Sequence, residues 1–547
     1  MKLSLAPWLT LSLTRTFWLA CGFSVVVTAC AETTNELTRE DLLRRVMARN
    51  ETIQIKAFEA EIARNTFEGE RGIFEPQATA SVERDDNQRP NNAQQVAALG
   101  LTPLSVFSER NMLYSAGIDT LTPIGSKLHV GSTLRDSRNN LQVAQNRGRE
   151  YETFVGMTVA QPLLKNFGLG ATMARIRLAA LASDIAYQEY RKNLMLVLSQ
   201  ADAAYWDLYM MQEQERISAD SVGIASKVFD DSRARSDVGK GAEAEVLQAQ
   251  AGVALRVAKR TEAHYKVLES ISRVSGFFSE PSVTTNTWLK AVDAPSMTPV
   301  SEDHHENMQQ AFKWNPDFIS RQAQFAQDKI RLGFARNQRL PDLQFKGSYG
   351  FNGLGKNTGV SYGQFLDSDF PAWSVGLELH VPLLGGIREH HELTAAKVGL
   401  QRSETALSEA ATQISSQLAS SFSKVRTFRE NQATHQSVVE LHQKLLEAQM
   451  AKLEAGTIES RFVLETEDRL AEARMALVED QVQYRRAVLE VDLLLGRTLA
   501  QRNLELSQAQ LRDKTITLLK AHHVSDQKIE AYKEKAGRDF DKLVKPQ

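Results

Sequence analysis

Two spacings recur in this chain to the residue, which restricts it to folds built from a duplicated unit. Four landmarks carry the pattern. In the first copy they are Asn50, the FEP ending at Pro76, the QPLL carrying Pro162 and the VSG ending at Gly276. In the second they are the NP at Asn315 and Pro316, the RLP ending at Pro341, the VPLL carrying Pro382 and the LLLG ending at Gly496. Asn50 to Pro76 is 26 positions, and so is Asn315 to Pro341; Pro162 to Gly276 is 114 positions, and so is Pro382 to Gly496. Independent intervals repeated this closely indicate internal duplication rather than two unrelated domains. The middle interval is 86 positions in the first copy and 41 in the second, so the first carries an insertion.

Each copy reads as a helix, a strand pair and a very long helix with one glycine break. The first repeat, 37–276, has helices at 37–72, 170–234 and 242–275, with Thr38 as a candidate N-cap and Asp41 at the capping-box position. The second, 304–496, has helices at 304–338, 386–453 and 458–495. Between them, 277–303 contains Pro281, Pro295 and Pro299 and reads as irregular, and the charged tail 497–547 has the weakest pattern. Leu407, Ala411, Ile414, Leu418, Phe422 and Val425 fall on one narrow apolar stripe, the signature of a helix–helix seam. A helix of roughly 65 residues rises about 100 Å, which no globular core covers. The two shorter helices of each copy together nearly equal its long one, so they are expected to stack end to end beside it and form a uniform cylinder.

The strands sit at one end of that cylinder. Trp373, Val375, Leu377, Leu379 and Val381 alternate with Ser374, Gly376, Glu378 and His380, and Val155, Met157 and Val159 alternate with Gly156 and Thr158. This period of two suits strands between an apolar and a polar medium. Strands are predicted at 77–85, 151–161, 342–351 and 372–381, with a further hairpin at about 113–136 inside the insertion. Its place, extending the sheet outward or folding over its mouth, is left open by the sequence. Four strands cannot close a membrane barrel, which needs about eight, so their edges must pair with other copies.

The charge balance, 65 basic against 67 acidic residues, points away from a nucleic-acid partner. Residues 1–29 read as a secretion signal, with an apolar run too short to span a bilayer. Its end offers two cuts. Val27-Thr28-Ala29-Cys30 resembles a lipobox, which would make Cys30 the acylated mature N-terminus; Ala29-Cys30-Ala31 suits ordinary signal peptidase equally. At most one of the two cysteines survives processing, so no disulfide framework is expected.

Candidate sites are few. His390 and His391 lack the spacing of a metal-binding helix, and His304, His305, His522 and His523 lie in irregular or terminal segments; all read as solvated side chains. No cofactor and no catalytic residue is expected. The glycines at Gly239, Gly241 and Gly456 neither follow a strand nor carry a phosphate-loop ending, so they read as helix-to-helix turns. Pro162 and Pro382 end their strands and redirect the chain into the long helices.

The NP before a helix, the proline opening each strand, QPLLKNFG matched by VPLLGG, and the glycine turns resemble the TolC-like outer-membrane efflux proteins over about 37–496. The resemblance implies a mainly α protein with membrane β: a homotrimer whose 12-strand transmembrane barrel continues into a long α-helical coiled-coil tunnel in the periplasm. It implies a non-enzymatic exit duct of a tripartite efflux or type I secretion system. The partners implied are outer-membrane lipid, a periplasmic adaptor and an inner-membrane transporter. The glycine turns then form the periplasmic tip that meets the adaptor. Glu245 and Glu465 fall where the family places acids near the entrance; in a trimer each becomes a ring of three carboxylates. As surface charges favoured by a helix N-terminus they would need no such role. The competing reading is a lipid-anchored periplasmic coiled-coil adaptor or spacer, but the compact β-rich domain it requires fits neither 77–162 nor 341–382.

Overall fold

The computed structural model describes residues 33–92, 106–144, 148–238, 242–278, 287–383 and 385–521. The secretion signal, Cys30, Gly239, Gly241, His522 and His523 lie outside the described residues. In chain order the elements are β1 (Thr33–Leu37), α1 (Arg39–Arg49), α2 (Glu51–Arg71), β2 (Gln77–Pro90), β3 (Val106–Leu121), β4 (Lys127–Ser137), α3 (Asn140–Ala144), β5 (Glu150–Pro162), α4 (Gly168–Thr172) and α5 (Ala174–Asp237). There follow α6 (Glu243–Gly276), β6 (Thr287–Ala291), α7 (His304–Trp314), α8 (Pro316–Gln338), β7 (Asp342–Gly355), α9 (Thr358–Asp367), β8 (Pro371–His380), α10 (Ile387–Glu454), α11 (Ser460–Leu494) and α12 (Gln508–Ala521).

The single helices expected over 37–72 and 304–338 are each broken, and the break has the same cause in both copies. Asn50 leaves helical geometry (φ −64°, ψ 121°) and its side-chain oxygen caps α2 by accepting from the Ile53 N–H at 3.2 Å. Its amide nitrogen donates at 3.0 Å to the carbonyl of Phe277, just past the end of α6. Asn315 repeats this: its oxygen accepts from Asp317 and Phe318 N–H at 2.9 and 3.1 Å, and its nitrogen donates to the Leu494 carbonyl at 2.9 Å. One side chain thus satisfies a free donor at the start of one helix and a free acceptor at the end of another. At the second junction Gly496 (φ +70°) lies so close that a Cβ there would sit 2.4 Å from the Trp314 carbonyl.

These splices turn short helices into columns. The α6/α2 column packs along α5, and the α11/α8 column packs along both α5 and α10. The result is a four-column layer with α6/α2 at one edge and α10 at the other. The long helices α5 and α10 have 64 and 68 residues, or about 96 and 102 Å at 1.5 Å per residue. Along α10 the stripe read from the sequence is buried at Ile414, Leu418, Phe422 and Val425 against Tyr484, Val488 and Val491 of α11.

At mid-height the chain adds a belt that the sequence pattern did not reveal. Within the segment read as irregular, β6 pairs in parallel with β1. Tyr205 of α5 accepts from the Val292 and Asp293 N–H groups at 3.1 and 3.0 Å beside this pair. Asp202, fully buried on α5, is held by Arg39 at 3.3 Å and Arg502 at 2.6 Å. Burial pulls the Arg502 pKa down against the opposing pull of Asp202. The first part of the tail is thereby anchored, and α12 packs on α2 with Leu511 in the main core.

The largest departure from expectation is the sheet. Among the described residues it has six antiparallel strands in the order β2-β3-β4-β5-β7-β8 rather than four. The inserted hairpin neither extends outward nor folds over a mouth; it lies within the sheet, separating β2 from β5. Its turn is at the helix end of the sheet, where a Cβ on Gly125 (φ +92°) would meet the Asn166 carbonyl at 2.7 Å. The strands also run longer than predicted, with β2 extending to Pro90 and β7 to Gly355. A hydropathy pattern shows that an insertion alternates, but not between which neighbours it pairs.

Toward the helical layer the registers sort side chains by face. One face carries Val82, Ile118, Val130, Met157, Tyr349, Phe345, Trp373, Val375 and Leu377; the other carries Ser81, Asp119, His129, Thr158, Lys346, Ser348 and Ser374. Polar residues from β3, β4, β5, β7 and β8 line one open concavity, so the polar face is the inner one. There Gly117 faces Gly131, Gly131 faces Gly156 and Gly156 faces Gly350 across successive strands. A Cβ on Gly350 would stand 2.8 Å from the Gly156 Cα, so this row permits the sheet to bend inward.

Replacing Asn315 by alanine removes both halves of its splice and should cost about 1–2 kcal/mol. Asn315→Asp keeps the cap but loses the donor and should recover part of that loss. Thermal melting followed at the helical circular-dichroism band checks both; equal melting of all three proteins would refute the splice.

Candidate functional site

The helical tip is the end of the layer away from the sheet. Between α10 and α11 the chain reverses at Gly456 (φ +73°), whose N–H donates to Leu453 O at 2.9 Å while Thr457 N–H donates to Lys452 O at 2.9 Å. This 5→2 and 6→1 pair is a Schellman ending, in which glycine supplies the left-handed residue. In the first repeat Val238 and Ala242 are the described residues that flank the corresponding link between α5 and α6.

Of the two candidate acids, Glu245 lies half-buried in the first turn of α6, where the helix dipole favours negative charge. Glu465 is exposed on α11 and bonded to Arg469 at 2.7 Å one turn on. Among the described residues Glu245 forms no ion pair. Phe462 is exposed, with the Arg461 guanidinium 5.2 Å from its ring centre.

A buried ion pair near the tip escaped sequence reasoning. Arg256 of α6 is 3% exposed and Glu467 of α11 is equally hidden. They meet at 2.6 Å, with Asp468 at 3.1 Å and the Leu464 carbonyl accepting from Arg256 at 2.8 Å. Gly252, one turn before, leaves room for Leu464: a Cβ there would lie 3.0 Å from its Cδ1. The sequence carried no signal for this pair, since Arg256 reads as one helical charge among many.

At the opposite end, both strand-to-helix junctions use the same device. Pro162 is the last residue of β5, paired opposite Gln344, and Asn166 (φ +64°) and Gly168 (φ +84°), the first residue of α4, follow. Pro382 follows β8, and Gly385 and Gly386 (φ +73° and +65°) lead into α10. Lys165 reaches Glu389 at 3.5 Å, joining the two junctions. A backbone N–H and then Lys165 hold the Glu389 carboxyl below its usual range.

His390 and His391 are exposed with their rings edge to face. Among the described residues no group of three or more His, Cys, Asp or Glu side chains is placed to hold a metal ion. No helix among them is long and apolar enough to cross a membrane.

Breaking the buried pair from one side leaves an uncompensated charge. Arg256→Met should therefore destabilise by about 3–5 kcal/mol, while the double variant Arg256→Met, Glu467→Leu should recover most of it. Denaturant titration of the two variants checks this; an additive double variant would show that the pair does not couple α6 to α11.

The sequence matches the family model described as outer membrane efflux protein over residues 128–275 and 307–497. No curated protein matches it. Solved structures match over most of the chain at low identity. The outer-membrane channel OprN is 16% identical with a TM-score of 0.60, covering 84% of this chain and 89% of that one. The Campylobacter jejuni CmeC channel is 13% identical with a TM-score of 0.58, covering 86% and 90%. The Vibrio cholerae outer membrane protein VceC is 14% identical with a TM-score of 0.58, covering 84% and 96%. The matched residues span both repeats, from β4 through α6 and from α7 past the end of α11, and the chain belongs to the outer membrane efflux protein family.

Proposed function

We propose that this outer-membrane efflux protein works as a passive, homotrimeric exit duct, through which cargo released by an inner-membrane transporter passes the periplasm and leaves the cell. The observation that carries this reading is a shared pair of open edges. Among the described residues the sheet ends at β2 and β8, and the helical layer ends at α6/α2 and α10. Because β2 follows α2 and β8 precedes α10, the unpaired strand and the uncovered helices lie on the same two sides. Exposed apolar side chains mark both: Ile55, Ile62, Leu255 and Tyr265 on one, Val398 and Leu441 on the other. Strand edges in lipid must be paired, so copies of this chain join β8 to β2 around an axis.

Three copies of six strands make an 18-strand barrel, in place of the 12 implied by the resemblance. Of the two additional strands, β3 precedes the family match, which begins at residue 128, and β4 lies within it. Barrel diameter grows roughly in proportion to strand number, so the outer pore is about half again as wide as a 12-strand one. Cys30, acylated at the mature N-terminus, adds a second membrane attachment. The turns at Gly239, Gly241 and Gly456 form the tip that docks to the adaptor, with Glu245 and Glu465 at the entrance. The junctions at Pro162 and Pro382 pass from barrel to tunnel.

Cysteines placed at Val82 on β2 and Val375 on β8 should cross-link between copies into a gel ladder ending at the trimer, and end-on electron micrographs should show the wider barrel. A ladder ending at dimer, or a barrel of 12-strand width, would overturn the assembly.

A ring of three carboxylates attracts cations and repels anions. Glu245→Gln should lower cation selectivity in planar bilayers. Glu465→Gln should lower it further, since it also frees the Arg469 charge. Unchanged reversal potentials in both would put the constriction elsewhere.

A further inference from the structure

The helix α9 between β7 and β8 lies on the apolar face of the sheet, at the end remote from the helical layer. Its position is fixed by polar contacts underneath. Thr153 of β5 donates to the Ser361 carbonyl at 3.1 Å and shares a hydroxyl contact of 2.8 Å with Ser361 Oγ. Tyr362 Oη and Ser132 Oγ of β4 are 3.0 Å apart. Gly353 provides the space, for a Cβ there would coincide with the Ser361 carbonyl. Ser132, Thr153 and Gly353 all have the parity of the apolar face, and they form a gap in its apolar cover above Val155 and Phe351. Helix α9 fills that gap.

What it turns outward is apolar. Leu366 is 77% exposed and Val360 51%, with Phe370 just beyond similarly open, while Phe365 packs toward Phe351. Within α9 the only charge is Asp367, at its last position. The level is also informative. From Leu343 to Phe351 the strand climbs about 26 Å at 3.3 Å per residue, or about 20 Å of bilayer height at a tilt near 40°. Tyr349, Phe351, Tyr362, Phe365, Phe370 and Trp373 thus cluster where the apolar band gives way to headgroups, the usual level of an aromatic girdle.

We propose that α9 is a lipid-contacting helix, lying along the outer-leaflet interface with Leu366 and Val360 among the acyl chains. This rests on the reading that the apolar sheet face meets lipid. The occupant is lipid because the patch continues that face without a break, and because the hydrogen-bonding groups of Ser361 and Tyr362 are turned to the sheet instead of outward. The helix converts a polar notch in the barrel wall into apolar surface.

The test uses the full-length protein in vesicles, with a bimane label on Leu366→Cys, on Val375→Cys as the strand reference, and on Glu454→Cys at the helical tip as the aqueous reference. The unsubstituted chain, labelled in parallel, sets the background from Cys30. Nitroxide-bearing lipid should quench the labels at 366 and 375 to within about twofold of each other, while iodide quenches only the label at 454. Iodide quenching at 366 with lipid quenching at 375 would overturn the proposal and leave the membrane sheet intact. Iodide quenching at both would overturn the membrane reading itself. Protection of 366 from both quenchers would mean that protein covers it, which also overturns the proposal. Leu366 is so exposed that its replacement should not disturb folding; retained heat-modifiable migration on gels verifies this.

Discussion

A helix of about 100 Å in water needs apolar cover along its whole length, because propensity alone contributes little to its stability. The architecture follows from that need. Neither α2 nor α6 is long enough to cover α5, and neither α8 nor α11 can cover α10. Asn50 and Asn315 resolve this by joining one helix end to another with a single amide. Columns of matched length result, and the seams continue without a gap. The mid-height belt then ties β1, the start of α1 and the segment around Arg502 to the middle of α5, through Asp202 with Arg39 and Arg502 and through the β1–β6 pair.

The layer so formed is complete across its width and incomplete at its two sides. The sheet above has the same property, because each strand continues directly into or from a column. A single protomer therefore has matching defects at both heights, which a ring of copies would remove together. The buried Arg256–Glu467 pair acts within the protomer near the tip, where α6 and α11 otherwise touch little.

Much of this was legible because duplication is a statistical signal that survives low sequence similarity. Matched intervals located the helices, the glycine turn at Gly456 and the proline junctions. Alternation gave the strands facing two media, and Thr38 was found capping α1. What stayed hidden was relational. Asn50 and Asn315 stood out as landmarks, yet their splicing role depends on carbonyls 227 and 179 positions away. The β1–β6 pair has five residues a strand, too few for a periodicity. Arg256 looked like any helical charge until Glu467 appeared opposite it. The pairing of the inserted hairpin was hidden for the same reason, since alternation marks a strand without naming its neighbour.

That hairpin also bears on how such a duct can change calibre. The strand that follows α2 leaves the helical layer, and the strand that precedes α4 and α5 must return to it. An antiparallel wall between those two fixed points admits new strands only in twos, or the chain would finish on the wrong side of the membrane. In a threefold ring each such addition is multiplied, so width advances in steps of six strands with nothing between. The helical layer has no corresponding freedom, because its columns are counted by the duplication. Outer bore and inner tunnel are thus separately heritable dimensions: one is set by loop insertions, the other by the repeat.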